Sequence, residues 1–524
     1  MSFKLPIEYI THHSVNTIIK TDLELPFIYE NLIGKSMLLD NWSSYYTTNK
    51  EFLKDTQQHI KKIPKIKINN SMLESYKEFK SETSFIEKYQ YIGFKHLKHL
   101  NYSSFFLHGL GLYNLSSPII SLFTPLLVLV VPFIILKMKN IPITLSLYIQ
   151  FLKEMIQRNS IYTLFTKFNQ INFQQKMSSL VTVFFYFFQI YSNIMSCISF
   201  YKNIHSVSSF LENYKIHIKD SMDTMNLLQK SISKYKTYQL FYQEIEMHKQ
   251  HFTKLYNRLN HIFPYKNTLS RIGQLGLLMN LNYELFMDSK NDTSFMFSVY
   301  LNQYVQDIQS IKKLVKKKIH KCSFRENTKI ERMYYLPHIK ENPILNDIDL
   351  SQNIMITGPN ASGKTTILKA LLINLLMSQQ FGYGCYKKAS IKIYDVFHSY
   401  LNIPDTSGRD SLFQAEARRC KDILVSVLDN SGNHCCIFDE IYSGTNPTDA
   451  IECATMYLDK MNDLNVDYVL TTHYIQLCEE FDKKILNLKM DVKVGENIEY
   501  LYKMVDGISY VHGGKQVLKD LHYP

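Results

Sequence analysis

Apolar residues follow two different rhythms along this chain. In the first, Ile218, Met222, Met225, Leu228, Ile232 and Tyr235 step by threes and fours, as do Phe252, Leu255, Leu259 and Ile262. That spacing draws one apolar stripe down each of two helices, as in a long helical hairpin or an ordinary bundle. No Gly or Pro interrupts Ile143 to Phe263, which also predicts long helices. In the second rhythm, short apolar runs stand apart: 353–357, 435–438 and 467–472, each fit for a buried strand. A strong helical pattern, Thr366 to Met377, follows the first of them. Strands alternating with helices predict an α/β domain over residues 331–524, preceded by a mostly α-helical region.

Two stretches of the helical region are apolar without any rhythm. Asn101 to Leu136 and Met177 to Tyr201 contain no Lys, Arg, Asp or Glu. Each is long enough to cross a bilayer, which takes about 20 residues, so 117–136 and 178–200 are candidate membrane segments. Pro118, Pro125 and Pro132 fall seven apart, on one face of a helix that membrane surroundings would tolerate. The intervening 137–176 carries Lys137, Lys139, Lys153, Arg158, Lys167 and Lys176 against Glu154 alone. Two spans with a cytosolic C-terminal domain would place that basic loop outside, against the positive-inside tendency. A re-entrant hairpin, a single span or a buried helical core avoids the conflict. The expected divisions are therefore 1–100, an N-terminal helical region; 101–205, the apolar region; 206–330, long helices with a basic end; and 331–524.

Charge divides the chain at the same place. The formal net charge is +12, but residues 331–524 hold 19 basic and 25 acidic residues, leaving +18 on residues 1–330. Eleven of the 17 glycines also lie after 331. A basic helical arm implies an anionic partner, DNA or lipid. Lys313, Lys317 and Lys321 would share one helix face there, either meeting phosphate or simply solvated. The eight cysteines form no C-x-x-C pair, which suits a reducing, intracellular setting. His96 and His99 have no third ligand near in sequence, which disfavours a metal site.

The chemistry concentrates in the C-terminal part. Gly358-Pro359-Asn360-Ala361-Ser362-Gly363-Lys364-Thr365 matches G-x-x-x-x-G-K-[ST] between a strand and a helix. In that setting backbone N–H groups cradle phosphates, Lys364 reaches the β- and γ-phosphates, and the Thr365 hydroxyl ligates Mg²⁺. Asp439, ending the 435–438 run, is the expected second Mg²⁺ residue. Glu440 is placed to polarise the attacking water. His473, at the end of 467–472, is placed to sense the γ-phosphate. Ser411 opens a helix over 410–429, where its hydroxyl and the helix N-terminus can bind an anion.

These elements, in this order, resemble the ATPase domain of the MutS family: the GPN-x-SGK-T loop, Ser411-x-Phe413-x-x-Glu416, Asp439-Glu440-Ile441 with Gly444-Thr445, and Thr472-His473-Tyr474. Pro343 to Asp347, Asp506-Gly507 and Gly513-Gly514 fit as well. The resemblance covers about residues 330–524. It implies a Mg²⁺-dependent ATPase of P-loop (ABC/MutS-type) fold that works as a homodimer with composite sites. Ser411 would reach the γ-phosphate held by the opposite subunit, Asn360 and Thr366 would lie by the phosphates, and Ile344 and Leu345 would touch adenine. The long helices would be the lever and clamp that couple ATP to mismatched or branched DNA in mismatch repair or a related transaction.

The chain departs from the family at several points. Phe85-Ile86-Glu87 and Phe210-Leu211-Glu212 match a mismatch-reading wedge in three letters only, and Tyr442-Ser443 stands where the family has Gly-Arg. The apolar segments are similar to those of truncated MutS-like proteins of bacteria and large DNA viruses, and the Lys-, Asn-, Ile- and Tyr-rich usage suits an AT-rich genome such as a large DNA virus carries. The alternative expectation is a membrane-tethered MutS-like mechanochemical ATPase without mismatch recognition. A transporter-type ABC ATPase is disfavoured because no LSGGQ-like signature separates the loop from the acid strand. An SMC-type ATPase is disfavoured because residues 366–434 are too few for a long coiled coil.

Overall fold

The computed structural model describes residues 3–138, 144–158, 162, 166, 172–264, 268–401, 411–495 and 498–511. The chain divides into two units. One comprises Asn69–Asp220 and His251–Phe295; the other comprises Met1–Ile68, Ser221–Gln250 and Met296–Pro524.

The first unit is helical. Helix α1 (Ser104–Met138) and the start of α2 (Phe173–Ile232) contain the two charge-free stretches. Helix α3 (Leu275–Met287) packs closely on α1, and a side chain at Gly276 would collide with the Ser104 carbonyl. Aromatic rings fill the core: Tyr76 stacks on Phe295 at 3.7 Å and Phe85 on Phe286 at 3.7 Å. Phe85 is thus a core residue and not an exposed wedge. His96 and His99 are exposed, and among the described residues no group of three His, Cys, Asp or Glu could hold a metal. Residues 139–143, 159–161, 163–165 and 167–171 of the basic stretch lie outside the described residues.

The second unit is built on a six-stranded sheet. In chain order its elements are β1 (Ile354–Thr357), α4 (Lys364–Phe381), β2 (Val396–Tyr400), α5 (Leu412–Asp429), β3 (His434–Asp439), α6 (Pro447–Asp463), β4 (Asp467–Thr472), β5 (Leu486–Val494) and β6 (Ile498–Asp506). The strand order is β6-β5-β1-β4-β3-β2, parallel except for the β5–β6 hairpin. Strands β1, β3 and β4 carry continuous apolar runs because helices cover both sheet faces. Cys435 and Cys436 are fully buried on β3, as small apolar strand residues. All eight cysteines are free. A smaller five-stranded sheet includes His320–Phe324, Lys329–Met333 and Asn346–Asp349.

One expectation needs correction. Lys313, Lys317 and Lys321 do not share a helix face. The helix Ser289–Leu314 stops at Leu314, whose carbonyl accepts from the N–H groups of Lys317, Lys318 and Ile319. Lys316 adopts a left-handed φ of 67°, and Lys321 belongs to the strand His320–Phe324. Burial of Ile319 and Cys322 with the sheet overrides the helix-forming tendency of the lysines.

The N-terminal segment packs on the α/β part. Residues 1–68 belong with the α/β unit. Gln380 on α4 donates to the Trp42 and Tyr45 carbonyls at 2.9 and 2.7 Å, and accepts from the Tyr29 hydroxyl. The Thr47 N–H donates to the Gln379 carbonyl at 3.0 Å. This N-terminal cover buries the polar Gln379 and Gln380 of α4, whereas buried Asn374 donates to the Tyr334 carbonyl and accepts from the Cys385 N–H.

Candidate functional site

The order β1-β4-β3 sets the C-terminal ends of three parallel strands side by side, where ligands of open α/β sheets bind. Register pairs Thr357 with Thr472 and Thr471 with Asp439. The chain leaves β1 through Gly358–Gly363 and enters α4 at Lys364. Gly363 has φ 95°, a left-handed conformation that glycine adopts without strain, and it lets the loop turn into the helix N-terminus. The Ser362 hydroxyl is buried and has no hydrogen-bond partner among the described residues. An orphaned polar atom in such a loop fits a phosphate oxygen.

Lys364 is buried, with its ammonium donating to the Gly358 and Pro359 carbonyls at 3.0 and 3.3 Å. Glu440 Oε1 stands 3.4 Å from the same nitrogen and 2.8 Å from His473 Nε2. His473 Nε2 is also 3.2 Å from Lys364 Nζ. Burial lowers the Lys364 pKa below the usual lysine value, against the pull of Glu440. The hydrogen bond from His473 is the main cause holding the Glu440 carboxyl below the usual carboxylate range. Next to this triad, the Thr365 hydroxyl donates to Asp439 Oδ2 at 2.6 Å, and the Thr471 hydroxyl donates to Oδ1. Thr365 and Asp439 form an oxygen-only donor set, which fits Mg²⁺ and not a soft metal.

A cavity of 610 Å³ opens over the loop. Asn360, Ala361, Ser362, Gly363, Lys364, Thr365, Thr366 and Glu440 line it, together with Ile344. Gly358 and Pro359 are not in the lining; they act through their carbonyls on Lys364. Leu345 is not in this lining either. It lines a neighbouring cavity with Arg332 and Lys503, and Ile344 borders both cavities. Asn346 fixes that segment, donating to the Tyr502 carbonyl at 3.1 Å and accepting from the Met504 N–H at 2.7 Å. The sequence reading missed Met333, Tyr335, His338 and Tyr502, which line the far side of the cavity. They come from outside the phosphate motif, and no spacing ties them to it.

Ser411 lies outside the cavity lining. It caps α5, accepting from the Gln414 N–H at 3.3 Å while its own N–H donates to the Gln414 side chain at 3.0 Å. The helix begins at Leu412; residues 402–410, including Ser407 to Asp410, lie outside those described.

Glu416, on the same helix, is buried and accepts from the Ser443 N–H at 3.2 Å, the Ser443 hydroxyl at 2.9 Å and the Gly444 N–H at 3.0 Å. It ties α5 to the loop that follows Asp439-Glu440. Ser443 therefore supplies a donor, and Tyr442 packs as a buried ring 5.9 Å from Phe413. Glu416→Ala is expected to cost about 1.5–3 kcal/mol, the range for hydrogen bonds to a charged group. Urea denaturation checks this, and an unshifted midpoint would show that the three bonds are dispensable.

Residues 354–524 match the model of MutS domain V. The DNA mismatch repair protein MutS of Persephonella marina is 28% identical over 258 residues, covering 46% of this chain and 29% of that protein. MutS of Fusobacterium nucleatum subsp. nucleatum is 32% identical over 178 residues, covering 32% of this chain and 19% of that protein. Endonuclease MutS2 of Staphylococcus saprophyticus is 26% identical over 190 residues, covering 34% and 24%. The chain thus spans under a third of the length of each of these relatives.

Proposed function

The chain belongs to the MutS family, and on that premise we propose that it is a Mg²⁺-dependent ATPase whose nucleotide cycle drives a conformational change of a dimer on DNA. The observation that carries this reading is the convergence of Lys364, Thr365, Asp439, Glu440 and His473 in one cluster of contacts, of which Lys364, Thr365 and Glu440 line the cavity.

The loop N–H groups of 360–365 and the Ser362 hydroxyl bind the β- and γ-phosphates of ATP, with Asn360 and Thr366 beside them. Lys364 turns from Glu440 toward the phosphates, and adenine lies toward Ile344. Thr365 and Asp439 hold Mg²⁺, which when bound neutralises phosphate charge. Glu440, released from Lys364, orients a water whose oxygen attacks the γ-phosphorus. The new P–O bond forms as the bond to the β–γ bridging oxygen breaks, giving ADP, phosphate and a proton that leaves by way of Glu440. His473 holds the Glu440 carboxylate in place and senses the γ-phosphate. Ser411 of a second copy completes the site by donating to the γ-phosphate. Capping α5 already fixes this serine at a helix N-terminus, a setting suited to an anion.

The DNA part of the proposal rests on the family and on the +18 carried by residues 1–330. Mismatched or branched duplex is the expected substrate. The test is ATP turnover and DNA binding measured with homoduplex, mismatched and branched DNA at two salt concentrations. Stimulated turnover and binding that weakens steeply with salt are expected. Turnover indifferent to all three would leave an ATPase whose motor acts on something other than DNA.

A further inference from the structure

The helix pair formed by α1 and the first part of α2 is built inside out for water. Along residues 173–199 of α2, Ser179 is buried and positions 176, 183, 186, 190, 193 and 197 are half-buried; every other position is exposed. Those seven positions alternate steps of three and four, so they form one seam. The seam combines the aliphatic Val183 and Ile190 with the polar groups of Ser179, Tyr186, Asn193 and Cys197. Asn193 donates to the Ser121 hydroxyl of α1, Cys197 Sγ lies 3.4 Å from the Leu115 carbonyl, and the Tyr186 hydroxyl lies 3.5 Å from the Leu122 carbonyl. The outside holds rings, interspersed with Thr182, Gln189, Ser192 and Ser196. Phe184, Phe185, Phe187, Phe188 and Tyr191 are each 56–64% exposed. On α1, Ser121 is buried while Ile119, Ile120, Leu122 and Phe123 are exposed.

A helix pair folded in water buries its large apolar side chains against the partner helix and turns Ser and Asn outward. The opposite arrangement, small and polar residues in the seam with apolar residues all round, is what a hydrocarbon solvent selects. Among the described residues α2 is also the helix long and apolar enough to cross a bilayer.

The lengths agree. The seam contacts pair 115 with 197 and 121 with 193, so the helices are antiparallel, and Tyr113 stands level with Tyr201 while Lys137 stands level with Lys176. From 113 to 137 is about 36 Å at 1.5 Å per residue. That exceeds a hydrocarbon core of about 30 Å and falls short of the whole bilayer. Exposed Tyr113 and Tyr201 then lie at one headgroup layer and the two lysines at the other, the interfacial positions those residue types favour. The connecting stretch 137–176 carries six basic residues, these two lysines included, against Glu154; with a cytosolic C-terminal part that charge runs against two full spans by the positive-inside tendency, and the match of length and side chains outweighs it here.

We infer that α1 and the first part of α2 form a helical hairpin inserted in a lipid bilayer, held together by the Ser121–Asn193 seam. The inference rests on the side chains of this hairpin and does not depend on the ATPase reading.

The full chain is expressed, its membrane fraction washed with alkaline carbonate, and the purified protein reconstituted into vesicles of phosphatidylcholine and phosphatidylglycerol. The chain is expected to resist the wash and to float with the vesicles. In the Phe187→Trp variant, emission is expected to shift to the blue and to be quenched by lipids brominated on their acyl chains; the protein's single tryptophan, Trp42, is buried and is subtracted as background. A Ser121→Cys/Asn193→Cys double variant is expected to cross-link on oxidation in the vesicles. Release by carbonate, alone or with another protein, would overturn the inference. So would emission from the Phe187→Trp variant that brominated lipid leaves unchanged. ATP turnover in the floated fraction is scored separately, so its absence would count against the ATPase and not against the hairpin.

Discussion

Glu440→Gln is expected to bind ATP normally and to lose turnover by about 10²–10⁴-fold, the usual contribution of a positioned general base. The amide has the shape of the carboxylate, so the backbone at Glu440 is undisturbed, including its φ of 52° and its N–H donation to the Thr471 carbonyl at 3.0 Å. The change is confined to charge. Glu440 Oε1 accepts from His473 at 2.8 Å and stands 3.4 Å from Lys364. A neutral amide gives up both attractions and cannot take a proton from water. Lys364 also loses a carboxylate that competes with phosphate for it, so ATP affinity is expected to hold or to tighten. Fluorescent-nucleotide titration and single-turnover phosphate release check the two halves separately. Turnover equal to the parent chain would remove Glu440 from the water-activating role.

The acidity of Glu440 sets a pH expectation. Its pKa is lowered in the fold, so the stability this carboxylate contributes is present above the unfolded carboxyl value and is lost as pH falls through its lower folded value. Glu440→Gln is expected to flatten that acid limb of the unfolding profile.

The elements of this site that were legible in the sequence share one property: their chemistry is local in the chain. A strand, a glycine loop and a helix follow one another from Ile354 to Phe381, and Asp439, Glu440 and His473 each end a buried strand. Parallel strands ending in chemistry predict a common edge, because a sheet aligns its strand ends. The parts that stayed hidden depend on distant partners. Tyr502 reaches the cavity because β6 is a hairpin partner of β5, and Asn346 then pins the Ile344 segment to it. Glu416 could be matched as a letter of a motif, but its binding of Ser443 and Gly444 is a contact across 27 and 28 residues. The lysines after Ile311 keep helical spacing, yet the strand His320–Phe324 forms because sheet partners lie near residues 383 and 389. The first 68 residues give no sequence sign that they will cover α4. Their bonds to Gln379 and Gln380 span more than 330 residues.

Lys364→Met is expected to weaken ATP binding by about 10–100-fold, corresponding to about 1.5–3 kcal/mol for hydrogen bonds to a charged group. Methionine fills the aliphatic volume of the lysine stem in a buried slot, so the helix start and the loop keep their packing. What disappears is the ammonium that touches the Gly358 and Pro359 carbonyls, Glu440 and His473. The chain without nucleotide is expected to unfold near the parent temperature, because the lost bonds are matched by relief from burying a charge. ATP should then add less thermal stabilisation than it does in the parent, since that gain scales with ligand concentration over Kd. The pH dependence separates loss of charge from loss of shape. Burial lowers the Lys364 pKa, so the parent chain should lose phosphate affinity as pH rises through a value below that of a free lysine. The methionine variant has no charge to lose there, and its weak binding should be flat over the same interval. A variant that still shows the parent's alkaline decline would place the titrating group elsewhere in the cavity.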